Sequence, residues 1–295
     1  MDKWIEEPKV VVNGEEMQIV VHENILPGPI MCAPVHAHKY IEVLYCISGV
    51  HEILLNRKLY TFSKGDMVLI NSRELHQIKA ITNETSDYIV VRFEPDILYT
   101  SYQNAFELKY LLPFTLNENS AKKVFSADAI EKTFLPGVFR ELLNDYTKKT
   151  YCYEFAVRTN ICRIFLWILR YWKQNGVVMQ SSVNGERLIE QFKPALEYIN
   201  KHCARDITAS DMAEFCHMSY SYFSRMFKKV VNKSFREYLN YQRIKKAELL
   251  LATTDLNITD IAMQTGFSTS SYFIQQFKLI KHISPKQFRN KFISH

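Results

Sequence analysis

Four residues in the first third of the chain could do chemistry together. The stretch Val35–Gly49, VHAHKYIEVLYCISG, holds His36 and His38 two apart and Glu42 four further on, and His76 follows in a later strand-like segment. Side chains alternate along a strand. Positions 36, 38, 40, 42, 44 and 46 would then share one face, which points His36, His38, Tyr40 and Glu42 toward an interior that His76 can join. Three imidazoles and a carboxylate can hold a divalent Zn, Mn, Fe or Ni ion with positions left open. The same groups could instead hydrogen-bond a small polar molecule, or be satisfied structural histidines. The aromatic supply nearby (Tyr40, Tyr45, Tyr60, Phe62, Tyr88, Phe93) suits a sugar or another polar ring compound, and equally suits a plain core. Residue types and spacing leave these readings open.

The elements that must position these residues are strands. Between residues 10 and 95, VVVNGEEMQIVV, IEVLYCISG, HEILLNRKLYTF, GDMVLI and SDYIVVRF are β-branched or aromatic runs separated by turns. That pattern predicts a sandwich or barrel. From about Ser101 the texture becomes helical. Over 152–174, Ile161, Ile164, Phe165, Ile168, Leu169 and Trp172 recur at helical spacing. The apolar residues nearly encircle this helix, so it is expected to pair with its copy in a homodimer, unless the outer wall of the barrel covers it. Residues 175–185, NGVVMQSSVNG, form the best linker candidate. The expected organisation is a β domain over 1–125, a helical connector over 126–183 and an all-α domain over 184–295.

Charge separates these parts. From Glu186 to the end there are 17 basic and 10 acidic residues, while the remainder has 20 and 21. A basic domain on a neutral body points to a polyanionic partner. The start, MDKWIEEPKV, has no apolar signal core, and the run ICRIFLWILRYW is broken by Arg163 and Arg170 and too short to span a bilayer. The six cysteines form no C-x-x-C pair and read as reduced thiols. A cytoplasmic protein without membrane contact is expected.

The all-α region carries a repeat, TASDMAEFCHMSYSYFSRMFKKVVNKSF and NITDIAMQTGFSTSSYFIQQFKLIKHISP. Thr208 with Asp211, and Asn257 with Asp260, each pair a cap residue with a carboxylate three positions on. Phe223/Phe227 and Phe273/Phe277 sit at i,i+4 on the buried face of the second helices. His217 and Gly266 in the turns, and Asn232 and His282 at the stops, are types that tolerate left-handed backbone. The spacing predicts two helix-turn-helix units bridged by REYLNYQRIKKAELLLATT, with the extra residue of the second unit falling between Ser268 and Phe273. The second helix of each unit would enter a major groove. Ser221, Ser224, Arg225, Lys228 and Lys229 would face outward in the first, and Ser271, Ile274, Gln275, Lys278 and Lys281 in the second. Arg225 could read guanine and Gln275 adenine. The lysines suit phosphates.

The segment DIAMQTGFSTSSYFIQQFKLIKHISPKQFR resembles the signature of the AraC/XylS family of bacterial transcription regulators, and the likeness covers about 190–292. His282 departs from the family's usual Gly, and Phe235 from a frequent Pro, which bears on local helix ends. The N-terminal region resembles a cupin barrel. His36, His38, Glu42 and Gly49 match its first motif; Gly65 and His76 match the ends of its second, with Asn71 and Arg73 where Pro and Gly are usual. Arg73 just before His76 argues against an intact metal site.

The resemblance implies an α+β multidomain protein with a cupin-like sensor, a helical connector and a double helix-turn-helix domain. It implies a sequence-specific regulator of double-stranded DNA that responds to a small polar metabolite such as a sugar, bound by His36, His38, Tyr40, Glu42 and His76. RNA polymerase and a second copy of the chain are the further expected partners. No cofactor is required, and a divalent metal on His36, His38, Glu42 and His76 is an optional occupant. No enzymatic activity is expected. A metal-dependent cupin enzyme carrying a DNA-binding tail is the alternative, and a DNA-binding structural protein without an effector is a third reading.

Overall fold

The computed structural model describes residues 5–12, 15–98, 110, 114, 122–177, 180–231, 233–281 and 283–293. Among these the chain divides into two compact units, one running to Gly185 and the other starting at Glu186.

The first unit begins with short strands β1 (Ile5–Glu6), β2 (Val11–Val12) and β3 (Glu15–Glu16), then β4 (Ile19–Leu26), β5 (Ile30–Met31), β6 (His36–Ala37) and β7 (Ile41–Ser48). It continues through β8 (Val50–Leu55), β9 (Lys58–Ser63), β10 (Met67–Ile70), β11 (His76–Ala80), β12 (Ser86–Phe93) and β13 (Val124–Phe125). One sheet has the order β1-β6-β11-β8-β9, with β5 also on β11; the other has β13-β10-β7-β12-β4. The core lies between them. Leu44, Cys46, Val68, Ile70, Tyr88 and Val90 of the second sheet meet Ile53, Leu55, Phe62 and Ile78 of the first. Alternation sends the other parity outward, where helices cover it: Tyr45 stacks on Phe139 at 4.8 Å and Phe93 meets Phe165 edge-on at 5.8 Å. Strand β7 is therefore covered on both faces, which explains its unbroken buried run from Ile41 to Cys46.

Helices α1 (Ala127–Ile130), α2 (Leu135–Lys148) and α3 (Tyr153–Gln174) belong to this same unit. The expected separate connector is thus part of the body of the β domain. Helix α3 buries Ile161, Ile164, Phe165, Ile168 and Trp172 within its own chain, and the Trp172 indole donates to the Lys122 carbonyl. The apolar face expected to meet a second copy is already covered. Only outer residues such as Phe155 and Leu166, 72% and 47% exposed, remain uncovered. The break between the two units falls at the end of the expected linker, but the segment is not free of helix. Helix α4 (Gln180–His202) starts inside it, and the Asn184-Gly185 pair is helical. One glycine costs a helix interior about 1 kcal/mol, too little to stop a helix of this length.

The second unit contains the rest of α4 and then α5 (Ala209–Phe215), α6 (Tyr220–Val231), α7 (Phe235–Thr253), α8 (Ile258–Gln264), α9 (Ser270–Lys281) and α10 (Pro285–Ile293). The caps form as the spacing requires. Thr208 and Asp211 make a reciprocal capping box, Ser234 and Glu237 make another, and the Asn257 side chain accepts from the Asp260 amide. Phe235, where the resemblance led one to expect Pro, begins α7 behind that Ser234 box and packs on Phe223 and Phe227. His217 and Gly266 both have positive φ, 54° and 90°. At Gly266 a Cβ would lie 2.7 Å from the Ala204 carbonyl oxygen, so only glycine fits. Asn232 and His282 lie outside the described residues. The helices α6 and α9 start after Ser219 and Thr269, whose hydroxyls accept from the amides three residues on. The extra residue of the second unit therefore falls between Ser268 and Phe273 as expected, in the turn before α9.

Candidate functional site

Strand register assembles the His/Glu centre. His76 on β11 is the direct antiparallel partner of His36 on β6, and their rings are 4.2 Å apart. His38 follows β6, with its ring 4.9 Å from His76. Glu42 enters from the opposite sheet on β7, on the inward parity of Leu44 and Cys46. All four residues are buried.

The hydrogen bonds of the rings decide which nitrogen is available. His36 Nδ1 donates to the Pro34 carbonyl at 2.9 Å, His38 Nδ1 to Tyr40 at 3.2 Å and His76 Nδ1 to Glu74 at 2.8 Å. A carbonyl only accepts, so each Nδ1 carries its proton, and a neutral ring then bears a lone pair on Nε2. Ligand atoms of the three rings lie within 4.8 Å of one another. His76 Nε2 has no hydrogen-bond partner among the described residues and lies 3.6 Å from Glu42 Oε2. His38 Nε2 is only 2.7 Å from that carboxylate oxygen. Such a contact needs a proton or a cation between the two atoms. Burial disfavours the charged imidazole of His76 and pushes its pKa down to about 3, against the pull of Glu42.

Two further residues complete the electrostatics. Arg92, register partner of Glu42 on β12, donates through Nε to Glu42 Oε2 at 3.0 Å. It also pairs with Glu7 at 3.3 Å, and Glu7 approaches His36 Nε2 at 3.4 Å. Burial alone would raise the Glu42 carboxyl, but the Arg92 guanidinium, the His38 hydrogen bond and the nearby imidazoles outweigh it and hold the carboxyl below the usual range. A proton on His38 Nε2 as well as Nδ1 would make that ring an imidazolium that balances Glu42; without it, two carboxylates face one guanidinium and the set is one positive charge short. The donor set therefore fits a divalent ion of the nitrogen- and oxygen-binding kind. His36, His38 and His76 would be its nitrogen ligands and Glu42 its oxygen ligand, and the ion would supply the missing charge.

Other sequence expectations divide. The Tyr40 ring meets His38 edge-on at 5.8 Å, while its hydroxyl points away from the carboxylate, donating to the Met17 carbonyl at 2.6 Å and accepting from the Val10 amide. The alternation assumed across 36–46 breaks at the bend between β6 and β7. Arg73 does not disturb the centre. Its side chain is exposed and its backbone, at φ 60°, takes the left-handed turn where the resembling motif has Gly. Of the aromatics, Phe62 and Tyr88 are interior and pack on His51 at 4.9 and 5.1 Å, whereas Tyr45 and Phe93 face helices. Sequence reasoning missed Arg92 and Glu7. Arg92 shares inward parity with Tyr88 and Val90, the one signal that could have found it.

In the second unit, Phe223 and Phe227 are fully buried, and so are Phe273 and Phe277. Helical phase then leaves Ser221, Arg225, Lys228 and Lys229 exposed on α6, with Ser224 partly so. On α9, Ser271, Gln275 and Lys278 are exposed. Two of the expected DNA-facing positions are weakened. Ile274 packs against the core of the second helix-turn-helix, and Lys281 is paired with Glu248 of α7. Tyr222, missed by the sequence reading, is 39% exposed and lies under the Arg225 guanidinium at 5.9 Å.

A double-sheet β domain with a buried polar centre, joined in one chain to tandem helix-turn-helix units, defines a ligand-binding, DNA-binding regulator. Residues 16–127 match the AraC-like ligand binding domain and residues 212–291 the helix-turn-helix domain of this class. The chain belongs to the AraC family of transcription regulators. It is similar to the HTH-type transcriptional regulator YdeC of Bacillus subtilis, 26% identical over 267 residues that cover 87% of this chain and 86% of that one. An HTH-type transcriptional regulator of Staphylococcus aureus is 26% identical over 83% of this chain but only 31% of its own length, so the chain spans about a third of that relative. Among solved structures, the C-terminal domain of AraT, a response regulator from Geobacillus stearothermophilus, is 38% identical over 34% of this chain and 84% of that one, with a TM-score of 0.33. Among the described residues no helix is long and apolar enough to cross a membrane.

Proposed function

We propose that this regulator senses its effector at the His36–His38–His76–Glu42 centre and that a divalent transition-metal ion is the occupant, with sensing and not turnover as its role. The observation that carries this is the clustering of ligand atoms of the three rings within 4.8 Å, with each Nδ1 donating to a backbone carbonyl and carboxylates beside the Nε2 atoms. A sugar or similar polar ring compound is the competing occupant. The packing favours the ion, because the ligand atoms of the three rings lie within 4.8 Å of one another. Occupancy must bind the two functional states of the protein with different affinity, otherwise nothing shifts.

The same reading assigns Arg225 and Gln275 to base edges, Lys228, Lys229 and Lys278 to phosphates, and RNA polymerase, a second copy of the chain and a cytoplasmic location to the working protein. The test uses full-length protein purified without chelator or affinity tag. Metal analysis should find near-stoichiometric metal, and His38→Ala and His76→Ala should each lose it. Stripping with chelator should lower the melting temperature, since a ligand at a hundred times its Kd stabilises by about 2.7 kcal/mol. Metal-free protein whose melting does not respond to Zn, Mn, Fe or Ni would remove the metal and return the centre to a metal-free pocket or structural histidines.

A further inference from the structure

The DNA-binding unit contains a cleft of about 630 Å³ that two expected DNA-facing residues, Ser224 and Lys228, share with a set of α7 side chains outside that expectation. Its floor is α7, with Arg236, Asn240 and Arg243. One wall is α6, with Ser224 and Lys228; the other is the turn before α9 and Tyr272. The cleft thus runs between the two helices read as groove-entering.

Its chemistry is that of an anion seat. Arg236 Nε donates to the Tyr272 hydroxyl oxygen at 3.2 Å, and the guanidinium lies 5.4 Å from the ring centre. The same oxygen accepts from Asn240 Nδ2 at 2.9 Å, and the buried Asn240 also donates to Gln276 of α9 at 3.1 Å. A phenol oxygen that accepts twice has only its proton left to offer. Arg236 is exposed, and its terminal N–H groups have no acceptor among the described residues. Lys228 adds an exposed ammonium. Arg243 is already spent on the carbonyls of Cys203 and Arg205. Asp206, the carboxylate on the wall, acts electrostatically on Arg243. Of the charged groups left over, Arg236 and Lys228 are cationic donors, and the Asp206 carboxylate is the one opposing charge on the lining.

We infer that this cleft seats a phosphate of the DNA backbone, held by Arg236 and Lys228, with Tyr272 and Asn240 as the positioning residues that fix the guanidinium. The inference rests on the reading of α6 and α9 as entering successive major-groove segments. The backbone that passes between those segments then crosses the floor on α7. Guanidinium–phosphate pairs are charge-assisted and geometrically specific. A free phosphate or nucleotide shares this chemistry, and the experiment separates it from DNA.

The full chain is titrated with a long random-sequence duplex across a salt series. Arg236→Ala should bind roughly tenfold more weakly and flatten the log–log salt slope by about 0.9, as follows when the protein neutralises one phosphate fewer. Arg236→Lys should keep the slope and lose part of the affinity, because ammonium cannot take the Tyr272 bond through Nε. Tyr272→Phe should weaken binding with little change of slope. Wild-type binding that Arg236→Ala leaves unchanged in affinity and slope overturns the assignment alone. A wild type without salt-dependent binding overturns it together with the reading of α6 and α9. A rise in melting temperature with inorganic phosphate or ATP, present in the wild type and absent in Arg236→Ala, would give the cleft to a free anion instead.

Discussion

The β domain and the DNA-binding unit use polar residues in opposite ways. In the β domain the functional groups come from distant positions, are buried against one another, and depend on each other for charge and hydrogen bonds. Removing one partner leaves the rest desolvated and unpaired. In the DNA-binding unit, Arg225, Lys228 and Gln275 project from single helices into solvent and share few partners. Their removal should change binding in separate steps and leave the fold alone. A buried network is all-or-none, whereas an exposed recognition face is close to additive.

The sharpest way to break this contrast is to put charge into helix α3. Ile164→Glu/Ile168→Glu places two carboxylates where both residues are buried. The expected outcome is loss of the folded β domain, read as loss of its melting transition, while the transition of the DNA-binding unit survives. Phe155→Glu/Leu166→Glu alters the exposed side of the same helix. It should keep both transitions and, if the homodimer uses α3, convert dimer to monomer in sedimentation. A folded inner-face variant would show that α3 is not part of the β-domain core.

A smaller effect is expected at the buried pair Lys123–Glu74, 2.9 Å apart. Glu74 also accepts from the Asn71 amide and from the Asn56 side chain, and its carbonyl holds the His76 ring. Glu74→Leu should destabilise by about 3–5 kcal/mol, because it strands a buried ammonium. The double variant with Lys123→Met should recover much of that loss in chemical denaturation. Equal losses in the single and double variants would show that the pair acts through packing instead of charge.

The smallest effects belong to the recognition helices. Once a binding site has been selected from random duplexes, Arg225→Ala and Gln275→Ala should each cost about 1–3 kcal/mol at one base position. The two positions should lie on opposite sides of the site, about one helical turn or roughly 10 base pairs apart. The losses should add in the double variant. Strong coupling between them would contradict the additive picture of this unit.

The two regions also differed in how far they could be read in advance. The helix-turn-helix units were legible down to single positions: the caps at Thr208 and Asn257, the left-handed turns at His217 and Gly266, the buried pairs Phe223/Phe227 and Phe273/Phe277. Two positions there depart from the expected outward face, the half-buried Ile274 and the ion-paired Lys281, while the extra residue falls between Ser268 and Phe273 as expected. The β domain was legible as a class, and the membership of His36, His38, Glu42 and His76 in one cluster followed from parity and motif. Arg92 and Glu7 carry no motif, the Tyr40 hydroxyl is bonded to Met17, and α3 is covered within its own chain, one of the two placements its sequence left open.

The reason lies in the range of the interactions. Helix hydrogen bonds and caps join residues three or four apart, so a short window of sequence determines which face each side chain takes. By itself the sequence therefore determined the repeat, the exposed faces of α6 and α9 and the basic charge of the second unit. Strand pairing joins residues far apart, and register is chosen by the whole domain. Only the tertiary structure could decide that His36 sits opposite His76, that Arg92 sits opposite Glu42, that Tyr40 turns to Met17, and that α3 lies against its own β domain. The arrangement that brings ligand atoms of the three rings within 4.8 Å of one another comes from the same source: the carbonyls of Pro34, Tyr40 and Glu74 had to be brought to the rings by the fold.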